Sequence, residues 1–479
     1  MFKYLRILLL VIVLLLIPQF SYASQASDIE SEKERLMEVF DYILEYQISK
    51  PEAQDLVDNA IKGMLDNLAD PYNTYFDPIE YRQLMERLSG SVTGVGMFIE
   101  EKEGYAVVQS PIKGSPAERA GLLPGDKITK VQGEDVTGQS VEIVGSKIKG
   151  EAGTEAIITV LRQENGKSVE YVFRIVREVV QIPVVESELL NNNIGYIRLY
   201  SFTEQAHSQF ADHLDKLKNQ GMKSLILDLR NNGGGLLDSA LKIAEIFIDN
   251  GIVLHVKDRD GIQESFSVDG PGWDLPVVTL INGYSASASE ILAGALRDNK
   301  VTAIVGQKSF GKGSVQTLIP LEAGGLLKLT IREYFTPNHA KIDGIGIIPD
   351  VAVDYFDLQV ETAQRLLGMY STLRLTDEGK TYINEKEYSG KKPVAIYKNG
   401  GWFVSIRALS NLYGGDLVWV PQTKSVVWRL KGVEKAFKAD GNPNLFTQEG
   451  HLYVNVNYLV KIFPQCFTWK GTVLTFKPE

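Results

Sequence analysis

The segment 277–290 reads VVTLINGYSASASE, and the organisation of the fold can be built outward from it. Residues 277–281 form a short, continuous apolar run typical of a buried strand, and a helical pattern begins near Ser287. On both sides, from 179 to about 355, strand-like runs alternate with helix-like stretches such as 204–219 and 236–248. This alternation predicts an α/β domain whose sheet is covered on both faces.

Ser287 stands where the predicted strand turns into the predicted helix. A serine at such a turn has an exposed hydroxyl near backbone N–H groups that carry partial positive charge. The pattern therefore fits a catalytic nucleophile. It also fits simple capping of the helix by one of the three serines Ser285, Ser287 and Ser289, and this segment alone leaves both interpretations open.

Two glycine-rich segments flank this one. Lys312 lies between two glycines, 25 positions after Ser287, and a desolvated lysine can serve as the base for a serine. A phosphate-binding loop, whose pattern is incomplete here, and a surface lysine are the alternatives. The segment 228–235, DLRNNGGG, offers N–H groups for an anion such as the oxygen of a tetrahedral intermediate. Its glycine spacing does not match the rival dinucleotide-binding motif.

In this order the three segments resemble those of the C-terminal processing peptidases, also called tail-specific proteases. The resemblance covers about residues 30–360 and includes a closing motif, GIGIIPD, at 344–350. It implies a Ser–Lys catalytic pair, with Ser287 as the nucleophile, Lys312 as the general base and Gln316 as the residue that orients the lysine.

The resemblance also implies how the intermediate is stabilised. The backbone N–H of Ala288, together with that of Gly233 or a neighbour, matches the oxyanion hole of the family. Ser285 and Ser289 are then expected to be structural and to cap the helix.

Residues 90–178 contain short β-rich runs separated by turn residues, which predicts a small β-domain with one or two short helices. With the family in view, this domain resembles a PDZ module whose carboxylate-binding loop is TGVGM at 93–97. A polypeptide with an apolar C-terminal tail would bind there as an added strand. The residues implied in substrate binding are Gly94, Val95, Gly96, Met97 and Lys149.

The N-terminal region combines a targeting segment with helices. Residues 1–23 have a basic start, an apolar run at 7–17 and small residues before a cleavage site, which predicts a signal peptide; an uncleaved anchor is the alternative. Both place the rest of the chain outside the cytoplasm, secreted or attached to the cell envelope. Residues 28–88 are predicted to be helical, with apolar stripes that pack either within the chain or in a homodimer.

The C-terminal region lies outside the peptidase pattern. Residues 361–390 are predicted to be a helix and a linker. Residues 391–479 resemble the small stalk domain first named from copper amine oxidases, without a copper-ligand cluster, and suggest a spacer or a contact with the cell envelope. A weak similarity between 401–404 and 450–454 indicates an internal repeat, and Cys466 is expected to be buried and inert.

The whole chain sets limits on function. Its 479 residues carry a formal net charge of −10, which argues against nucleic-acid binding, and no metal or other cofactor is implied. The sequence thus predicts a multidomain α/β protein: an N-terminal helical region, a PDZ β-domain, a peptidase core of the ClpP/crotonase-like type at 179–360, and a small C-terminal α+β domain. The expected activity is that of a serine endopeptidase acting on apolar C-terminal tails of exported proteins. A catalytically idle binding protein and a cell-surface scaffold are the alternatives.

Overall fold

The computed structural model describes residues 28–164 and 166–477, so the predicted signal peptide at 1–23 lies outside the described residues. The chain divides into two compact units. Among the described residues, one unit contains 28–81 together with Gln316–Thr330, and the other contains Arg82–Val315 and residues 331–477. Among the described helices, none has the length and apolar character that crossing a bilayer requires.

The first unit begins with helix α1, residues 28–46, and helix α2, Ala53–Asp66. A short strand follows, β1 (Thr74–Phe76), which pairs antiparallel with residues 326–328. The predicted all-helical region 28–88 therefore contains a strand, because Thr, Tyr and Phe favour extended backbone once the helix has ended before Pro71. Apolar side chains of α1 and α2 such as Leu36 are exposed, and the homodimer stays a prediction.

Helix α3 (Pro78–Ser89) leads into the PDZ-like region. A two-stranded ladder joins β2 (Ser91–Gly94) to β9 (Glu178–Gln181). The β-domain between them confirms the predicted pattern of short strands with two short helices. Its elements are β3 (Met97–Lys102), β4 (Tyr105–Pro111), α4 (Pro116–Ala120), β5 (Lys127–Val131), β6 (Glu134–Asp135), α5 (Val141–Ile148), β7 (Glu155–Glu164) and β8 (Lys167–Val176).

The α/β region is built on a six-stranded sheet of order β10-β11-β12-β15-β16-β19, parallel except for β10. Both faces are buried, since Leu225 and Leu227 enter one apolar cluster while Ile226 enters another. The predicted two-sided burial is confirmed. The elements are β10 (Val185–Leu190), β11 (Ile194–Leu199), α6 (Ala206–Asn219), β12 (Ser224–Asp228), α7 (Leu237–Phe247), β15 (Val277–Ile281), α8 (Ala288–Asp298), β16 (Thr302–Gly306) and β19 (Val351–Ala352).

Strands β13, β14, β17 and β18 belong to a second sheet. Strand β13 pairs with β14 on one side and with residues 332–335 of β18 on the other. The bounds are β13 (Asn250–Asp258), β14 (Gln263–Asp269), β17 (Ser314–Pro320) and β18 (Leu326–Phe335).

The segment 361–390 differs from the predicted helix and linker. Helix α9 ends at Leu366, and three strands follow: β20 (Leu373–Leu375), β21 (Thr381–Ile383) and β22 (Lys386–Glu387). Strand β20 pairs with β31 (Val473–Phe476), so these residues belong to the C-terminal fold. Runs of two or three residues are too short for the alternating pattern of a strand to stand out in sequence.

The C-terminal fold contains two copies of a strand–strand–helix unit 50 residues apart, which confirms the predicted internal repeat. In the centre, β24 and β29 pair antiparallel with Val404 opposite Val454. Cys466 is buried, as predicted, and burial raises the pKa of its thiol. The repeated elements are β23 (Ala395–Lys398), β24 (Gly401–Ser405) and α10 (Ile406–Tyr413), then β28 (Leu445–Gln448), β29 (His451–Asn455) and α11 (Val456–Ile462). The other elements are α9 (Gln359–Leu366), β25 (Asp416–Val420), β26 (Ser425–Leu430), β27 (Val433–Phe437) and β30 (Phe467–Lys470).

Candidate active site

Ser287 lies at the turn between β15 and α8, and it is half-buried. Its backbone has φ 55° and ψ −116°, a conformation that residues with a side chain rarely adopt. Such strain costs about 1–3 kcal/mol and persists only where the surroundings enforce it. The same sharp strand-to-helix turn exposes the nucleophile in unrelated hydrolases.

Ser285 and Ser289 are structural, but neither caps the helix as predicted. The Ser285 hydroxyl donates to the carbonyl of Leu229 at 2.8 Å, and the Ser289 hydroxyl donates to the carbonyl of Asn232 at 2.8 Å. Both serines therefore fasten the Ser287 turn to the glycine segment that follows β12. The N-cap position itself belongs to Ser287.

The lysine segment packs against Asp343 and the first residues of the closing motif at 344–350. A side chain on Gly313 would lie 2.2 Å from the backbone nitrogen of Asp343, so only glycine fits there. The N–H of Gly344 donates to the carbonyl of Gly311 at 2.9 Å, and the N–H of Ile347 donates to the Ser309 hydroxyl at 2.6 Å. The glycines beside Lys312 thus make room for this motif.

Glu290 joins the two segments. Its buried carboxylate, 1% exposed, accepts hydrogen bonds through Oε2 from the backbone N–H groups of Ser287 and Lys312, each at 2.9 Å. Through Oε1 it accepts from the Ser309 hydroxyl at 2.5 Å and the N–H of Gly311 at 2.7 Å. Serine and lysine backbones 25 positions apart are therefore bonded to one oxygen atom. Glu290 was not among the residues predicted from the sequence, although Ser287–Glu290 has the S-x-x-E signature of a capping box.

Tyr334 on β18 contacts the same two residues from their carbonyl side. Its hydroxyl lies 2.6 Å from the carbonyl oxygen of Lys312 and 3.3 Å from that of Ser287, so it donates to the former and lies within reach of the latter. The side chain is buried. No local sequence signal points to Tyr334, which lies far along the chain from Ser287.

The predicted oxyanion-hole segment packs directly against the Ser287 turn. A side chain on Gly234 would lie 2.9 Å from Cβ of Ser287 and 3.0 Å from the nitrogen of Ala288. The N–H of Gly234 donates to the Asn232 side chain at 2.9 Å and is therefore engaged. Gly233 is exposed, so its N–H is the better placed of the two for a ligand.

The Asp-Leu-Arg part of the same motif has a structural role. Asp228 and Arg230 form a buried ion pair at 2.6 Å, and the Tyr196 hydroxyl donates to Asp228 at 2.6 Å. Burial and the neighbouring Asp228 carboxylate raise the pKa of Tyr196, which keeps its proton on the hydroxyl. Burial lowers the pKa of the Arg230 guanidinium, but Asp228 outweighs it and the net shift is upward. This network anchors the end of β12 beneath the glycine turn.

Gln316 lies on β17 and belongs to the first compact unit, whereas Ser287 and Lys312 belong to the second. Its side-chain amide donates to the Thr330 hydroxyl at 3.2 Å. The role implied for Gln316 stays a prediction.

The predicted PDZ residues come together at the end of the β-domain. The carbonyl of Val95 accepts the N–H of Ala117 at 2.8 Å, and the carbonyl of Gly96 accepts the Ser115 hydroxyl at 2.7 Å. In the described part of the chain, no hydrogen bond has the N–H of Val95 or Gly96 as its donor. Because buried N–H groups normally have partners, this loop is suited to an acceptor from a ligand. Met97 follows it directly, at the start of β3.

Lys149 stands beside this loop, at the end of α5. Its Cα lies 3.8 Å from the point that a side chain on Gly94 would occupy, and its Nζ lies 2.7 Å from the Glu86 carboxylate.

Over residues 28–164 and 166–477, no three His, Cys, Asp or Glu side chains are grouped as metal ligands.

Three family models match the chain. Peptidase family S41 matches residues 193–353, the PDZ domain matches 107–162, and the activating protease CtpB N-terminal domain matches 18–79. The first two matches lie within the predicted peptidase core and β-domain, and the third covers most of the predicted helical region and extends back into residues 18–23 of the predicted signal peptide.

Named relatives agree with these models. The carboxy-terminal-processing protease of Bartonella bacilliformis is 37% identical over 328 residues, which is 67% of this chain and 74% of the relative. The carboxy-terminal processing protease CtpA of Bacillus subtilis is 36% identical over 359 residues, which is 74% of each chain. The solved photosystem II D1 C-terminal processing protease is 33% identical and has a TM-score of 0.40, with 66% of this chain and 86% of that chain covered. The chain belongs to the carboxy-terminal processing proteases of peptidase family S41 and is a serine-type peptidase, as its motifs predicted.

Proposed function

We propose that the chain is an endopeptidase that recognises apolar C-terminal tails of exported proteins through its PDZ domain and cleaves them with Ser287 and Lys312. The observation that carries this proposal is the Glu290 carboxylate, which is bonded to the backbone of both residues. A buried acceptor shared by a serine and a lysine from separate segments fixes one against the other, as a nucleophile and its base require.

The mechanism uses groups of this chain and one water molecule. Ser287 Oγ attacks the carbonyl carbon of the scissile bond while neutral Lys312 Nζ takes its proton. The oxygen of the tetrahedral intermediate accepts hydrogen bonds from the N–H groups of Gly233 and Ala288. When the C–N bond breaks, the Lys312 ammonium gives its proton to the leaving amine. Water then attacks the ester, Lys312 takes the water proton, and Ser287 Oγ leaves and is reprotonated by the lysine.

We further propose that Gln316 orients Lys312, as the sequence resemblance implies. The parallel sheet with helices supports assigning the core to the ClpP/crotonase-like type. Export is supported by the sequence of residues 1–23.

Substitution of the pair tests the chemistry. We expect Ser287→Ala and Lys312→Arg to lose peptide cleavage altogether, because alanine cannot attack and arginine does not deprotonate near neutral pH. Cleavage of a polypeptide with an apolar free C-terminus is followed by mass spectrometry, and circular dichroism shows that the fold survives. The matched control is Lys308→Arg, an exposed lysine of the same loop, which should cleave normally.

Cleavage by either of the first two variants at the wild-type rate would remove the pair from the mechanism. Binding of the polypeptide by the wild-type protein without cleavage would favour the idle binding protein.

The C-terminal domain carries a second proposed role, contact with the cell envelope through a stalk-like fold. A cleft of about 610 Å³ opens there, lined in part by Trp419, whose side chain is 58% exposed. Deleting residues 391–479 is an unsuitable test, because the apolar cluster of this domain continues into the peptidase sheet through Ile226 and Val278. Co-sedimentation of the intact protein with isolated cell walls tests the contact, and a protein that stays in solution contradicts it.

A further inference from the structure

A cavity of about 330 Å³ lies between helix α3 and the start of β3, and Met97, the last residue of the predicted carboxylate-binding loop, lines it. Its apolar part includes Met97 and Phe98 at the start of β3, the strand beside which a peptide would add. Its charged part consists of Lys149, Arg87 and Glu86. The cavity therefore combines the two features that an apolar chain end requires, a place for a side chain and cations for a carboxylate.

The occupant of the charged part is a residue of the protein itself. Glu86, near the end of α3, places its carboxylate 2.7 Å from Lys149 Nζ. The side chains of Lys149 and Glu86 are 45% and 38% exposed. A glutamate side chain and the end of a polypeptide present the same chemical group, a carboxylate on a flexible carbon chain.

The adjacent loop lacks an acceptor for the N–H groups of Val95 and Gly96 in the described residues. Glu86 is bonded to the lysine, and no hydrogen bond joins it to these two groups. A chain terminus that enters the loop would meet both the free N–H groups and Lys149. Such a terminus would thus make hydrogen bonds that Glu86 does not make, in addition to the ion pair with Lys149.

We infer that Glu86 acts as an internal substitute for the substrate's C-terminal carboxylate, and that a tail binds by displacing it from Lys149. This inference rests on the proposed capture of C-terminal tails. It adds that the Glu86 carboxylate is a competitor of the tail for Lys149. Glu86 sets a threshold for entry: a chain end with a free carboxylate displaces Glu86 and forms a new ion pair with Lys149, whereas an amidated end has no charge to offer and leaves the Glu86–Lys149 pair intact. An exposed ion pair is weak, so the threshold is low enough for a peptide to cross.

Binding measurements on the full chain test this. In a Ser287→Ala background, which prevents cleavage, a labelled six-residue apolar peptide with a free C-terminus is titrated and followed by fluorescence anisotropy. We expect Glu86→Gln to tighten binding about two- to fivefold, the range that removal of one exposed ion pair allows. The same peptide with a C-terminal amide should bind the two proteins equally.

Two further variants make the result specific. Glu103→Gln breaks another exposed ion pair of the PDZ domain, with Lys127 at 2.7 Å, outside the cavity, and should leave binding unchanged. Lys149→Gln should weaken binding of the free-acid peptide and abolish the gain from Glu86→Gln in the double variant.

The outcomes separate the two proposals. Free-acid binding that is unchanged or weakened by Glu86→Gln overturns the competitor while the capture of tails stands. An equal gain for the amidated peptide overturns it too, because the gain would then not concern the carboxylate. If the free-acid peptide binds none of the proteins, the capture of tails fails and the competitor falls with it.

Discussion

Glu290 and Glu86 both place a carboxylate beside a lysine segment, but their surroundings differ in every respect. Glu290 is 1% exposed and accepts four hydrogen bonds from three backbone N–H groups and a hydroxyl. Glu86 has a side chain that is 38% exposed, and it makes one ion pair. The first carboxylate bonds the backbone of its lysine, whereas the second bonds the charged end of its lysine.

The difference separates a fixed site from an exchangeable one. A buried carboxylate with all its donors satisfied is costly to disturb, because each donor would lose its partner without gaining water. An exposed pair is worth little more than its hydrated alternatives. Glu290 therefore fixes the backbones of Ser287 and Lys312 against each other, whereas the exposed pair leaves the charge of Lys149 exchangeable.

Of the substitutions at these sites, Glu290→Gln is expected to have the largest effect. The amide keeps one acceptor oxygen but places an NH₂ group against N–H donors, so the Ser287 and Lys312 segments lose a common anchor. We expect kcat to fall at least about 100-fold, since displacements near 1 Å can cost that much. We also expect the free energy of unfolding to fall by about 1–3 kcal/mol. Steady-state cleavage and urea unfolding measure the two effects.

The matched substitution is Glu86→Gln, which makes the same chemical change at the exposed site. It should lower KM for free-acid substrates and leave kcat unchanged, while the free energy of unfolding falls by no more than about 1 kcal/mol, the worth of one exposed ion pair. Equal losses of kcat at both positions would contradict the distinction between a fixed and an exchangeable glutamate.

Tyr334→Phe should have an intermediate effect. It removes the hydroxyl that donates to the Lys312 carbonyl at 2.6 Å and leaves Glu290 in place. A net hydrogen bond is worth about 0.5–1.5 kcal/mol, so kcat should fall up to about tenfold with KM unchanged. Tyr397→Phe, at an exposed tyrosine of the C-terminal domain, is the control. If kcat falls as far as in Glu290→Gln, then the hydrogen bond to the Lys312 carbonyl, and not the N–H bonds to Glu290, holds Ser287 and Lys312 together.

Glu361 on α9 supplies a third case, a carboxylate whose buried Oε2 has no hydrogen-bond partner among the described residues. Burial raises the pKa of Glu361 above its usual 4.5, so the folded state binds the proton more tightly than the unfolded chain does. Its contribution to stability is thus full below pH 4.5 and is lost as the pH rises through the raised pKa.

We therefore expect Glu361→Gln to be more stable than the wild type near pH 7 and to lose that advantage at about pH 4. Urea unfolding at both pH values measures the difference, with Glu378→Gln on an exposed turn as the control. An advantage that persists at low pH would show that charge is not its cause.

The sequence predicted those parts of the fold that depend on local pattern. Residues 277–281 were predicted as a strand and form β15, because five consecutive apolar or β-branched residues are compatible with little else at a buried position. The same local reasoning failed for β20, whose three residues carry too little pattern, and for β1 within a helical region.

The site was predictable to the extent that its residues lie in motifs. Ser287 and Lys312 were singled out because the order of their segments resembles the peptidase family, and their catalytic roles stay predictions; the S-x-x-E pattern at 287–290 contained Glu290. Tyr334 reaches both residues only because β18 passes beside them, which no local pattern records. Ser285 and Ser289 were expected to cap a helix, but their hydroxyls instead find carbonyls of the neighbouring segment that only the folded chain brings near.

The repeat in the C-terminal domain has a consequence for its origin. With a shift of 50 residues, Phe403 corresponds to Tyr453 and Ser405 to Asn455. In the β24–β29 ladder, Phe403 pairs with Asn455 and Ser405 pairs with Tyr453, while Val404 faces its own counterpart Val454. Such reciprocal pairing is the rule for two identical subunits around a two-fold axis. The domain has the form of a symmetric dimer joined into one polypeptide, as duplication of a single ancestral strand–strand–helix segment would produce.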